Sequence, residues 1–264
     1  MTRPPVFIGG SGRSGTTLLS TILDSHPNIA CGLELKVTPR VARLWYELQT
    51  TYKQNLSRFC LATEDIDRIF AQMILALMEK YLRESGKQRM AEKTPGNVFV
   101  FQFLHRLFPQ SPLVHVIRDG RDVVCSLLSM RWVDPQTRRP LPYTRDAGKA
   151  AEYWASSVRA GRRLLESRSA RQRYVEVRYE QLVAEPVSTL QRLLAFMDEP
   201  WHPSVLDFHR QKHGLRLGHP ASGRLYTRAV GRWRRDLRPP DRAAVKEAAG
   251  DLLIELGYAA DGDW

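Results

Sequence analysis

The stretch Pro5-Val6-Phe7-Ile8-Gly9-Gly10-Ser11-Gly12-Arg13-Ser14-Gly15-Thr16-Thr17-Leu18-Leu19 restricts the fold more than any other part of the chain. A short apolar run leads into a glycine-rich turn, and Leu18, Leu19, Ile22 and Leu23 then fall on one helical face. The pattern predicts a buried strand over 5–9 and a helix over 14–25. A strand, tight loop and helix in that order aim backbone N–H groups and the positive helix end at one point, which suits an anion. Aligned on G-x-x-x-x-G-K-[ST], Gly10 and Gly15 take the two glycine positions and Thr17 the hydroxyl position, but Thr16 stands where the lysine belongs. In an NTPase that lysine and a magnesium ion neutralise a triphosphate tail. Here the loop offers the amides of Gly12, Ser14 and Gly15, two threonine hydroxyls and one cation, Arg13, a set fitted to a smaller or less charged group. The plain alternative is a passive turn; Arg13 inside it and the paired threonines argue against that.

The remaining pattern alternates strand and helix. Short strands are predicted at 28–31, 88–93, 112–117 and 174–177. Helices are predicted within 37–84, over 98–107, after the turn at Asp119-Gly120, over 147–167, 187–197 and 240–256, with loops at 135–143 and 211–231. This alternation implies an α/β chain with a P-loop-like three-layer fold: one short parallel sheet with helices on both faces. With no repeat and no low-complexity linker, one domain over 1–264 is expected.

A second anion site follows from Val116-Ile117-Arg118-Asp119-Gly120-Arg121-Asp122. It puts Arg118 at a strand end and Ser126 eight residues on in the next helix. Strand C-termini of a parallel sheet share one edge, where ligands bind, so Arg118 is expected near the first loop. Two cradles on one edge imply a ligand with two separated anionic groups. The competing reading pairs Arg118, Asp119, Arg121 and Asp122 among themselves. The net charge of +12, with eight lysines among forty basic residues, favours an anionic partner, yet no nucleic-acid-binding motif is present. Met1-Thr2-Arg3-Pro4-Pro5 runs straight into the first strand, and no apolar run approaches the roughly 18 residues of a membrane span. A cytoplasmic protein without membrane contact is expected. Cys31, Cys60 and Cys125 form no metal spacing.

At these residues the chain resembles the sulfotransferases that use 3′-phosphoadenosine 5′-phosphosulfate (PAPS). "PVFIGGSGRSGTTLL" is similar to their 5′-phosphosulfate loop and "VIRDGRDVVCSLL" to their 3′-phosphate segment. "RYVEVRYEQLVAEPVSTLQRLLAFM" and "AVGRWRRDL" follow in order and spacing, so the likeness spans roughly 5–258. "LDSHPNIACGLELKVTPR" resembles the tyrosylprotein branch. That likeness implies Glu34 as general base, Lys93 as the leaving-group lysine, Lys36 and Arg40 as basic substrate- and cofactor-facing positions, and Tyr179 near the nucleotide. It also implies a basic loop over the 3′-phosphate, for which Arg224 and Arg228 are the candidates. The chain departs from the branch at Leu33, where a second acidic residue is usual, and at one basic position that is lysine.

PAPS carries a 5′-phosphosulfate and a 3′-phosphate, matching the two cradles, and needs no metal. The expected enzyme is an O-sulfotransferase with Glu34, Lys93 and Arg13 at the chemistry. Gly12, Arg13, Ser14, Gly15, Thr16, Thr17, Arg118, Ser126 and Tyr179 are expected at the nucleotide, released as adenosine 3′,5′-bisphosphate (PAP). The acceptor is a hydroxyl on a small metabolite or a peptide tyrosine; nucleic acid is not an expected partner, and a homodimer stays open. Glu34 has a plainer reading as a salt bridge to Lys36 or Arg40, and His26 is its rival as base. His105 and His115 read as packing residues. Two other functions stay open: a P-loop nucleotide kinase or NTPase, and a non-enzymatic nucleotide- or nucleic-acid-binding module.

Overall fold

The computed structural model describes residues 3–134, 136–210 and 227–264. Strands β1 (Val6–Gly10), β2 (Ile29–Ala30), β3 (Arg89–Lys93), β4 (Leu113–Ile117) and β5 (Tyr174–Arg178) form one sheet in the order β2-β3-β1-β4-β5, every neighbouring pair parallel. The expected α/β architecture and its strands are therefore borne out. β1, β3 and β4 are buried along their whole length; β1 and β4 accordingly read as short continuous apolar runs, while β3 buries the charged Arg89, Glu92 and Lys93 with polar partners. Ile8 lies beside Lys93 and Gly10 beside Val116. From β1 the chain runs out to β2 at one edge, returns to β3 beside β1, and then crosses to β4 and β5 on the other side, so the strand order reverses at β1. The crevice at such a switch point is where an open parallel sheet binds ligands.

Twelve helices are seen among the described residues: α1 (Thr16–Asp24), α2 (Thr38–Thr50), α3 (Lys53–Arg58), α4 (Thr63–Ser85), α5 (Phe101–Leu107), α6 (Gly120–Leu128), α7 (Ala147–Arg162), α8 (Arg168–Arg171), α9 (Tyr179–Ala184), α10 (Pro186–Phe196), α11 (Trp233–Asp236) and α12 (Pro239–Glu255). Alternate residues of a strand face opposite sides, and the core divides accordingly. Phe7 and Leu113 pack with Val41, Trp45, Phe70, Ile74 and Phe103 of α2, α4 and α5. Val6, Ile8, Val114 and Val116 pack with Leu19, Ile22, Leu190 and Leu193 of α1 and α10. A third cluster joins α6, α7 and α12 around the fully buried Trp154. No helix among the described residues is long and apolar enough to cross a membrane.

Two buried polar groups lock this frame beside the sheet edge. Glu92 of β3 is 1% exposed. Its carboxylate accepts from Thr94 Oγ1 (2.6 Å), Leu35 N (3.3 Å), Thr38 Oγ1 (3.3 Å) and Asn97 Nδ2, while Thr94 Oγ1 accepts from Lys36 N (3.0 Å). The segment entering α2 is thereby tied to β3 and to the turn that follows it. Burial pushes the Glu92 carboxyl pKa up, and these hydrogen bonds oppose the rise. Replacing it by alanine strands four donors, each costing about 1–3 kcal/mol when left unpaired. Glu92→Ala is expected to lose at least about 3 kcal/mol in urea unfolding, with Glu92→Gln less affected.

His115 of β4 is fully buried. Its Nδ1 lies 2.6 Å from Tyr174 Oη, whose own proton goes to Glu176 Oε1 at 3.0 Å; Nδ1 therefore carries the hydrogen of a neutral ring. Burial, reinforced by Arg162, pushes its pKa down to about 3. The unfolded chain thus binds the extra proton first. The contribution is present above pH ~6.5 and is lost as pH falls toward 3, at up to about 1.4 kcal/mol per pH unit. Urea unfolding between pH 7 and 5 is expected to show a shallower acid slope in His115→Gln than in the parent.

Candidate active site

At the C-terminal edge of the sheet opens a cleft of about 1,410 Å³. Its floor is the turn between β1 and α1. Arg13 and Gly15 both take positive φ, 73° and 98°. Alternation into the left-handed region turns successive amides inward to make an anion nest. Gly15 is needed there twice over, because a Cβ would also stand 2.5 Å from the Tyr179 ring. Helix α1 has no side-chain cap and no acidic residue in its first turn, so its free amides are left for something outside the helix. Ser14 Oγ is buried without a hydrogen-bond partner among the described residues. Gly12 N donates to Tyr153 Oη at 3.3 Å, fixing the loop against α7.

The second cradle lies beside the first. Arg118 donates through Nη1 to the Arg13 carbonyl at 3.2 Å and through Nη2 to the Ala229 carbonyl, and its guanidinium lies 4.6 Å from the Tyr179 ring centre. Its Nε is buried and unpartnered among the described residues. Arg13 Nε donates to Ser126 Oγ at 3.0 Å, so Arg13 spans from the loop to the second cradle. Burial lowers the Arg13 pKa, and the positive Arg118 and Arg232 lower it further. Arg232 is paired with Asp236 at 2.6 Å and Arg118 stands 3.9 Å from Asp122, so the three guanidinium groups leave a smaller positive excess that favours an anion.

Half of the self-pairing alternative is also present. Arg121 binds Asp119 at 2.8 Å and lies against the rings of both Trp233 and Trp264, whereas Arg118 stands 3.9 Å from Asp122 and faces the cleft. Asp122 instead accepts from Gly231 N (2.7 Å) and Trp233 N (2.9 Å), anchoring the 229–233 segment beside Arg118.

The third group sits across the loop, at the end of β3. Lys93, 4% exposed, donates to Glu34 Oε1 at 2.8 Å and lies 3.3 Å from Thr17 Oγ1. Glu34 Oε2 is 3.6 Å from Lys36 Nζ. Lys36 has φ 57°, a conformation that costs a non-glycine residue about 1 kcal/mol or more and gathers at functional sites. A carboxylate, an ammonium and a threonine hydroxyl thus converge over the N-terminus of α1.

The cleft is lined by Gly12, Arg13, Gly15, Thr16, Thr17, Glu34, Lys36, Arg40, Arg118, Ser126 and Tyr179 of the expected set, and Lys93 reaches it through Glu34 and Thr17. Arg228 is exposed and outside the lining; Arg232, from the same basic segment, is within it. Arg224 lies outside the described residues. His26 is fully buried, its Nε2 2.8 Å from the Pro200 carbonyl, a packing role. Sequence reasoning missed Tyr143 and Tyr153, whose rings stack at 4.4 Å on the cleft wall, together with Arg43 and Arg131. Tyr153 and the fully buried Trp154 are adjacent on α7, and only helical phase separates a cleft residue from a core one.

The sequence profile described as "Sulfotransferase family" matches residues 4–203. The protein-tyrosine sulfotransferase A of Caenorhabditis elegans is 31% identical over 271 residues, covering 97% of this chain and 68% of that protein. The protein-tyrosine sulfotransferase of Drosophila melanogaster is 29% identical over 219 residues, 81% of this chain and 42% of that protein, so the chain spans less than half of the fly relative's length. Among solved structures, the sulfotransferase domain of the Synechococcus PCC 7002 olefin synthase superposes with a TM-score of 0.62 at 23% identity, covering 96% of both chains. At that identity the likeness speaks for the fold alone. With the profile spanning residues 4–203, the chain belongs to the sulfotransferase family.

Proposed function

We propose that this chain, as one sulfotransferase domain, moves a sulfuryl group from PAPS to an acceptor hydroxyl. The carrying observation is the meeting of two anion cradles, the loop at Gly12–Thr17 and the Arg118–Ser126 pair, in one cleft. The residues fit such a donor. The Arg118 guanidinium lines the cleft, the first turn of α1 offers free amides, and Thr16 in the lysine position lowers the charge the loop can neutralise. The loop amides with Thr16 and Thr17 would hold the 5′-phosphosulfate, and Arg118 with Ser126 the 3′-phosphate. Tyr179, under the Arg118 guanidinium and against Gly15, would shape the wall between them.

The bound nucleotide supplies a sulfur atom already attached to a good leaving group. In the transfer, the acceptor oxygen bonds to sulfur, the bond from sulfur to the bridging phosphate oxygen breaks, and PAP departs. Lys93, held 3.3 Å from Thr17 Oγ1, donates to the oxygen on which charge grows, with Arg13 as a second cation. Glu34 accepts the acceptor's proton; its bond to Lys93 keeps the carboxylate beside the transfer path. Lys36 and Arg40, lining the same side of the cleft, would meet the acceptor, a peptide tyrosine or a small hydroxyl metabolite.

Thermal denaturation with PAP and with ATP–Mg²⁺ tests the donor. A ligand at about 100 times its Kd adds about 2.7 kcal/mol, so PAP raises Tm and ATP–Mg²⁺ does not; the reverse would favour the kinase or NTPase reading. With [35S]PAPS, Glu34→Gln is expected to lower kcat by about 10²–10⁴-fold with PAP affinity unchanged. Undiminished turnover would remove Glu34 as base. Arg118→Ala is expected to weaken PAP binding by about 10–100-fold in calorimetry, the size of a lost charge-assisted hydrogen bond.

A further inference from the structure

A second cavity, of about 400 Å³, adjoins the cleft. Leu33, Leu35, Leu77, Met78, Tyr81 and Met90 wall it, and Glu34 lines both spaces. It lies between the 32–35 segment and α4, whose Tyr81 ring comes so close to Gly32 that a Cβ there would be 2.7 Å away. Leu33 is 60% exposed and Leu77 46%. Ile69 and Met73 precede Leu77 at helical spacing on α4 and are 48% and 36% exposed. Single exposed apolar side chains are ordinary, but an apolar strip leading into a cavity marks a binding surface. The cleft on the other side of Glu34 is cationic, with Lys36, Arg40 and Arg43.

We propose that this cavity receives an apolar arm of the acceptor. Glu34 at the boundary fixes where the acceptor hydroxyl must lie, and what is attached to that hydroxyl can extend to either side. The cationic side suits a polar or anionic portion; the side of Leu33 and Leu77 suits an alkyl or aryl group. The acceptor class is then an amphipathic hydroxyl compound rather than a uniformly polar one. The inference rests on the sulfotransfer reading only for the role given to Glu34.

The probe is a series of 4-alkylphenols from methyl to hexyl, titrated calorimetrically into the protein with and without saturating PAP. Affinity is expected to rise about two- to four-fold per added methylene until the cavity fills, as burial of CH₂ groups requires. Leu33→Gln and Leu77→Gln, both at exposed positions, are expected to flatten the series, with PAP affinity serving as the folding check. A flat series in the parent protein, or a gradient that survives in both variants, would overturn the proposal. If the strip instead joins two copies of the chain, sedimentation equilibrium shows a dimer that Leu77→Gln dissociates, and the series is flat. Failure of PAP to bind would sink the donor assignment while the nucleotide-free series still decides the cavity.

Discussion

Arg13 and Arg118 lean on one another at the ends of β1 and β4, with Arg232 adding a third positive charge. Like charges gathered in a partly buried place repel, and that repulsion must be offset by the protein or by a bound anion. The protein offsets part of it. The Tyr179 ring lies under Arg118, Ser126 accepts from Arg13, and the Ala229 carbonyl accepts from Arg118. Ser14 Oγ and Arg118 Nε stay without partners among the described residues. Buried polar atoms of that kind are rare in folded proteins, and here both lie in the segments that form the cleft floor and its positive wall.

The parallel sheet makes this crowding attainable. Because β1, β3 and β4 run side by side in one direction, the residues just past their C-termini meet at one edge although they are far apart in sequence. Arg13 follows β1, Lys93 ends β3 and Arg118 follows β4. Glu34 comes from the connection after β2, and its position depends on the buried Glu92, whose hydrogen bonds tie 35–38 to β3. One carboxylate therefore lines the cleft beside Lys93 while another, one residue before Lys93, holds its loop in place. The two are told apart by burial: Glu92 is closed off and saturated with donors, whereas the Glu34 side chain is 26% exposed.

Much of this was legible before any coordinates. The strand–loop–helix at 5–25 and the Arg118…Ser126 spacing identify themselves because they are patterns of particular residues a few positions apart, and local spacing is what a sequence displays. β1 and β4 read correctly because buried parallel strands are continuous apolar runs, whereas β3, with Arg89, Glu92 and Lys93, carries no such run and shows only as a short extended piece. Arg228 and Arg232 show where such reading stops. Both lie in one basic stretch, and their placement outside and inside the cleft depends on Asp122 anchoring Gly231 and Trp233 from more than a hundred residues away. Tyr153 escaped notice because nothing in its own neighbourhood distinguishes it from a packing residue.

The sequence by itself determined the layered α/β fold and the glycine-rich strand–loop–helix turn without its lysine, since each follows from hydrophobic period, glycine placement and short-range spacing. The tertiary structure alone decided that Lys93 bridges Glu34 to Thr17, that Arg121 pairs with Asp119 while Arg118 turns to the cleft, and that an apolar cavity opens behind Glu34. These are contacts between segments tens to hundreds of residues apart, and their geometry is set by packing of the whole chain.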